Sequence, residues 1–290
     1  MQGRVVRTVS NYYHVADNGK VIVCKPRGRL KKEGLSVLTG DLVEYTLCPD
    51  GSGVIESILP RRSVLVRPPV ANVTQAIIVY TVREPGLNLE LTDRIAVQAE
   101  EAGLSCVFCL NKIDLLKPGE WTTAVEHYTR AGYDVIMTSA LTGEGIDRLK
   151  QRLRGEVSVL AGQSGVGKSR LLNAFRTGLE LKTGSLSRKI GRGRHTTRHI
   201  ELLEVAAGLV ADSPGFSRLD LDEIPRTDLV YCFPEIAAQS GACRFRGCTH
   251  RSEPGCEVRR LVEQGVIGRA RYEHYVRFFE EILEAESRRY

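Results

Sequence analysis

The segment GQSGVGKS at positions 162–169 restricts the fold more than any other stretch of the chain. It satisfies G-x-x-x-x-G-K-S in full. The apolar run VSVLAG leads into it, and KSRLLNAFRTG, with helical spacing, leads out of it. A strand, a glycine loop and a helix in that order form a phosphate cradle. Gly162, Gly165 and Gly167 let the backbone wrap, so that the N–H groups from Gln163, Ser164 and Val166 to Arg170 can face an anion at the helix start. Lys168 is expected to reach the β- and γ-phosphates and Ser169 to ligate Mg²⁺.

A second motif, NKID at 111–114, stands fifty-one residues ahead of the loop. Asp114 can accept from N1–H and N2–H₂ of guanine, donors that adenine does not offer, and an unpaired buried carboxylate would penalise ATP. Asn111 and Lys112 brace that loop. TSALTGEG follows the next apolar strand, and its Ser139-Ala140 can place a backbone N–H against guanine O6. DSPG at 212–215 offers Asp212 to Mg²⁺ through water and the Gly215 N–H to the γ-phosphate. Between loop and DSPG lies GRGRHTTRH at 191–199, where Thr196 and Thr197 are alternative Mg²⁺ ligands. The five elements therefore run NKID, SA, GQSGVGKS, TT, DSPG, whereas the usual order begins with the phosphate loop. Each stands in its proper strand–loop context, so the chain reads as a circularly permuted GTPase. A permuted chain keeps its packing where the original termini lie near one another.

Phe216 occupies the position after DSPG where many GTPases carry the glutamine that orients water. A phenyl ring cannot do so, and slow intrinsic hydrolysis is expected. His195 is the candidate for that work, with Arg194 behind it; with Lys168 it completes the candidate catalytic set. The bland reading of His195 is a surface or polyanion contact.

The 290 residues suffice for two or three domains. Residues 1–68 read as short strands punctuated by Asn18-Gly19, Gly40-Asp41 and Asp50-Gly51, a pattern for a small β-barrel of the OB type. RRSVLVRPPV reads as a linker. Residues 69–225 alternate strand and helix, which implies a parallel sheet covered on both faces. Residues 226–290 form a short, mainly helical region. Tyr272, Tyr275, Phe279 and Ile282 there have helical spacing and are expected to pack on their own domain.

CRFRGCTHRSEPGC supplies Cys243, Cys248, His250 and Cys256, the donor set of a closed structural zinc site, one Zn²⁺ per chain. Arg244, Arg246 and Arg251 are expected to lower the thiol pKa values. Cys106 and Cys109, in CVFC, lie in a buried-type strand with no second pair and read as core.

The net charge is +6. Residues 1–68 hold eleven Lys/Arg against six Asp/Glu, and residues 182–199 hold six Lys/Arg, two His and no acid. Two basic zones fit a polyanionic partner. With no long apolar run and no signal-peptide core, the chain is expected in the cytoplasm, away from membranes.

NKID before GQSGVGKS, GRGRHTT, DSPGF and the C-x4-C-x-H-x5-C cluster together resemble the ribosome small subunit-dependent GTPases, the RsgA (YjeQ) family, over nearly the whole chain. The resemblance implies an OB-fold, a permuted GTPase centre and a zinc domain. It further implies GTP and GDP as ligands with Mg²⁺, the small ribosomal subunit and its rRNA as partner, and a monomer acting in late subunit maturation. Arg198 stands where the family often has a third threonine. The rival reading is a GTP-dependent RNA-binding switch with incidental hydrolysis or another RNA partner. A small-molecule kinase is disfavoured, since NKID and SA read guanine.

Overall fold

A computed structural model describes residues 1–32, 34–66, 68–177, 200–212 and 220–288. Its strands are β1 Gln2–Val9, β2 Tyr12–Asp17, β3 Lys20–Pro26, β4 Leu42–Leu47, β5 Gly53–Ile58, β6 Val64–Leu65, β7 Val70–Ala71, β8 Gln75–Tyr80, β9 Ser105–Leu110, β10 Asp134–Met137, β11 Val157–Ala161, β12 Glu201–Val205 and β13 Gly208–Asp212. Its α-helices are α1 Gly28–Lys32, α2 Leu89–Glu101, α3 Thr122–Thr129, α4 Ile146–Arg152, α5 Lys168–Thr177, α6 Pro234–Ala237, α7 Glu257–Glu263 and α8 Arg269–Ser287. The chain forms two compact units, one of residues 1–75, 150–160 and 171–217, the other of residues 76–149, 161–170 and 218–290.

In the first unit, alternation of apolar and polar residues closes β1–β5 into a barrel. β1 pairs with β2 and β2 with β3, all antiparallel. β3 runs parallel to β5, β5 antiparallel to β4, and β4 returns antiparallel to β1, which leaves this barrel no free edge. Val5, Val15, Cys24, Val43, Tyr45 and Ile55 fill the interior. The β2–β3 hairpin turns on Asn18 and Gly19, both at positive φ, the backbone a two-residue turn requires. Asp41 is fully buried and accepts from Arg61 Nε at 2.7 Å and Nη2 at 2.8 Å. The expected linker carries a short antiparallel pair, β6 with β7. Pro68 and Pro69 fall in the turn between these strands, where neither proline removes a ladder hydrogen bond. β11 lies parallel to β13, β13 antiparallel to β12, and β12 meets β1 at Arg7 and Glu201.

The second unit contains the strand order β8-β9-β10, with β9 and β10 parallel. β8 is buried along its whole length, as a strand covered on both faces must be. α2 starts on Asn88, whose side chain accepts from the Leu91 N–H at 3.0 Å, and presents Ile95, Ala96, Val97 and Ala99 to the interior. The C-terminal helices close over Leu229, Phe233, Ile236, Val258, Tyr275, Phe278, Phe279 and Ile282, with Tyr272 partly buried against them. The face expected from sequence on α8 does pack on its own region.

A buried ionic cluster ties α8 to α2. Arg271 Nη1 donates to Asp93 Oδ1 at 2.9 Å and Arg271 Nε to Glu235 at 2.7 Å. His127 and His274 both contact Asp93 Oδ2, at 3.1 and 2.6 Å. Burial pushes the Asp93 carboxyl up, but Arg271 and the two imidazoles outweigh it and hold that carboxyl well below the usual carboxylate range. Among the described residues no helix is long and apolar enough to cross a membrane.

Candidate nucleotide site and metal cluster

The phosphate loop is built as its glycines require. Gly162, Gly165 and Gly167 have φ of 141°, 87° and 101°. A Cβ on Gly162 would stand 2.1 Å from the Val79 carbonyl oxygen, and one on Gly167 would stand 2.4 Å from Asn111 Nδ2. Neither position admits a side chain. Lys168, at the start of α5, donates through Nζ to the carbonyls of Gly162 at 2.6 Å and Gln163 at 2.9 Å. Burial lowers its pKa. An ammonium satisfied only by carbonyl oxygens can exchange those partners for phosphate oxygens.

NKID follows β9 directly, and Asn111 is the joint of the site. Its Nδ2 donates to the Val166 carbonyl in the phosphate loop at 2.8 Å. Its Oδ1 accepts from Thr138 Oγ1 at 3.1 Å and from the Ala140 N–H at 3.2 Å. One buried amide thus fastens the phosphate loop to the segment holding Ser139 and Ala140. Lys112 adopts a left-handed φ of 63° and donates through Nζ to the Glu84 carbonyl. Asp114 is oriented by Ser139, whose Oγ donates to Oδ1 at 2.5 Å while accepting from the Thr142 N–H at 3.1 Å. Asn111, Lys112, Asp114 and Ala140 line one cleft with Arg170. Glu84, Leu115 and Leu141 share that lining, and sequence reading missed them. Leu115 and Leu141 are 37 and 71 % exposed, an apolar edge suited to a planar ring. Their only signal in the sequence is position, Leu115 just after NKID and Leu141 just after Ser139-Ala140.

Asp212 ends β13 in the first unit. Gly215, Phe216, Arg194, His195, Thr196 and Thr197 lie outside the described residues.

The cysteine motif converges. Cys243 Sγ and Cys256 Sγ each lie 3.5 Å from His250 Nδ1, and the two sulfurs are 3.9 Å apart. With Cys248 Sγ, all four donor atoms fall within 4.8 Å of one another, so the cluster can hold a metal ion. Glu253 shapes the connecting loop by accepting from Thr249 N–H and Oγ1 at 2.6 Å each, Arg251 N–H at 3.0 Å and Ser252 N–H at 3.1 Å. Those bonds outweigh burial and draw its pKa down to about 2. The expected lowering of the thiol pKa values by arginines is not found. Desolvation leads, lifting Cys248 to about 12 and raising Cys256. Arg244 and Arg246 are exposed, where water screens them. Cys109 is buried core with its thiol pushed to about 12, and Cys106 bonds the Leu104 carbonyl.

The RsgA GTPase family model matches residues 58–222, and the RsgA N-terminal domain model matches residues 2–55. The small ribosomal subunit biogenesis GTPase RsgA of Geobacillus thermodenitrificans is 47 % identical over 290 residues, covering 99 % of both chains. Among solved structures, YloQ, described as a circularly permuted GTPase, is 36 % identical with a TM-score of 0.84, over 98 % of this chain and 95 % of its own. YjeQ from Thermotoga maritima is 38 % identical with a TM-score of 0.83, over 97 % of this chain and 98 % of its own. Barrel, permuted nucleotide motifs and cysteine cluster agree with these matches, and the chain belongs to the RsgA family of circularly permuted GTPases.

Proposed function

We propose that this GTPase spends its GTP on the small ribosomal subunit, binding rRNA and acting in late subunit maturation. The observation that carries the reading is the Asn111 amide. It joins a guanine-reading cleft to a phosphate loop whose glycines exclude side chains. The name of the Geobacillus thermodenitrificans relative supplies the ribosomal context.

In this reading Asp114 takes the guanine N1–H and N2–H₂, with Ser139 holding it in place. The Ala140 N–H, directed at Asn111 Oδ1, turns to O6. The N–H groups of the loop and Lys168 hold the phosphates. Ser169 and one of Thr196 or Thr197 ligate Mg²⁺, with Asp212 acting through water and Gly215 sensing the γ-phosphate. His195 orients the attacking water, since Phe216 cannot. Three functional domains, 1–68, 69–225 and 226–290, divide RNA binding, hydrolysis and metal-stabilised docking, in a cytoplasmic monomer.

The metal is zinc. Tetrahedral zinc with Zn–S of about 2.3 Å and Zn–N of about 2.0–2.1 Å sets S···S near ~3.8 Å and S···N near ~3.5 Å. The separations of 3.9 and 3.5 Å fit without rearrangement. Zinc would hold the thiols as thiolates and staple a region with a small apolar core.

GTP turnover with and without purified small subunits, at matched salt, tests the reading. A large stimulation is expected, absent with large subunits and lost in Lys168→Ala. Equal turnover in both conditions would remove the ribosome from the account.

A further inference from the structure

The cysteine cluster opens into a cleft that the nucleotide chemistry does not use. Cys243, Cys248 and His250 form its inner wall, where a metal would sit, and two aromatic rings that the fold leaves outside its core line the rest with their neighbours. Tyr231 is 69 % exposed although its neighbours Leu229 and Cys232 are buried. Phe245 is 44 % exposed, and the Arg244 guanidinium stands 5.4 Å from its ring centroid. Exposed apolar surface gathered at one place and rimmed by polar residues marks an interaction site.

Arg226, Arg244 and Arg246 line the cleft, and no Asp or Glu does, although Arg226 Nε also pairs with Glu286 at 3.5 Å. The segment from Arg244 to Gly247 is short and pinned between two metal-binding cysteines. The Arg244 N–H donates to the Gly255 carbonyl at 3.2 Å, and its stem lies against Gly255, where a Cβ would come within 3.2 Å of Arg244 Cβ. A ring held like that of Phe245 on a pinned backbone loses little entropy when it binds.

We propose that this cleft takes an unpaired nucleotide of an RNA strand, its base stacked on Tyr231 and Phe245 and its flanking phosphates met by Arg226, Arg244 and Arg246. Every base has a π-face, so stacking tolerates sequence, and a guanidinium serves both phosphate and ring. A paired helix keeps its bases stacked on one another and cannot enter. The site deepens the proposed function, because it names the feature of RNA that this region reads.

The test uses the full chain with its zinc content verified and two probes, a fluorescent single-stranded oligoadenylate RNA and a blunt RNA duplex of similar length. The single strand should bind more tightly. Tyr231→Ala and Phe245→Ala should each weaken it by about fivefold or more, while Tyr231→Phe retains it. Arg246→Ala should reduce the slope of log affinity against log salt by about one unit. Unchanged zinc content and melting midpoint would exclude misfolding. Alanine variants that bind the strand like the wild type would overturn the site. If they instead lose only co-sedimentation with small subunits, the cleft docks a protein, and the proposal also falls. Ring-dependent strand binding without subunit-stimulated turnover would leave this site standing and remove the ribosomal reading.

Discussion

Asn111 shows how one side chain can make two distant motifs a single site. Truncation to alanine would remove the donor to the buried Val166 carbonyl and the acceptor of the Thr138 hydroxyl and the Ala140 N–H. A buried polar group left unpaired costs about 1–3 kcal/mol. We therefore expect Asn111→Ala to lower GTP affinity by about tenfold or more, measured by titration with a fluorescent GTP analogue. Gly167→Ala should do worse, because positive φ and the 2.4 Å approach to Asn111 Nδ2 act together. Measurable GTP binding by that variant at wild-type strength would show that the loop is not held as described. The meeting of NKID and the phosphate loop was legible because nucleotide chemistry fixes residue type and spacing. The thiol pKa values were not. Sequence shows that arginines are near, but only structure shows that Arg244 and Arg246 stand in water and that desolvation leads at Cys248 and Cys256.

Among elements, α8 and α2 are held by the cluster around Asp93, whose partners Arg271 and His274 are 178 and 181 residues away in sequence. No local pattern announces such a pairing, whereas the apolar face of α8 could be read from its spacing. Arg271→Met would strand Asp93 and Glu235 in the interior, at a cost of about 3–5 kcal/mol. A lower urea midpoint for the helical signal would register it, and an unchanged midpoint would count against the cluster. Its pH dependence has a definite sign. A depressed carboxyl contributes fully above the unfolded value, near ~3.9, and loses its contribution only as pH falls through the lower folded value. Wild-type α8 should therefore stay docked at pH values where Arg271→Met has begun to release it. Glu253 offers a parallel test in the metal loop. Its four accepted bonds set the loop that carries His250, so Glu253→Ala should lose the proposed zinc to a chelator about tenfold or more faster.

For the molecule as a whole, the order of motifs along the chain carried the most information. NKID ahead of the phosphate loop demanded either coincidence or a permuted domain. The hydrogen bond from Asn111 to Val166, across 55 residues, favours one site built from both. The barrel was legible from its short alternating strands and glycine turns, but its closure by β4 on β1 was not, since strand pairing at that separation leaves no local trace. Leu115, Leu141 and Glu84 stayed hidden because a cleft wall is defined by position in space. The reversed motifs make one guanine site only if the base is read by Asp114. Replacing one carboxylate oxygen by an amide nitrogen sets a donor against guanine N2–H₂, while the remaining oxygen still accepts from N1–H; xanthine keeps N1–H and carries an oxygen at C2 that accepts from the new donor. Asp114→Asn should lose GTP turnover by about a hundredfold or more and recover it with XTP. GTP turnover unchanged in that variant, with XTP no better, would contradict the account.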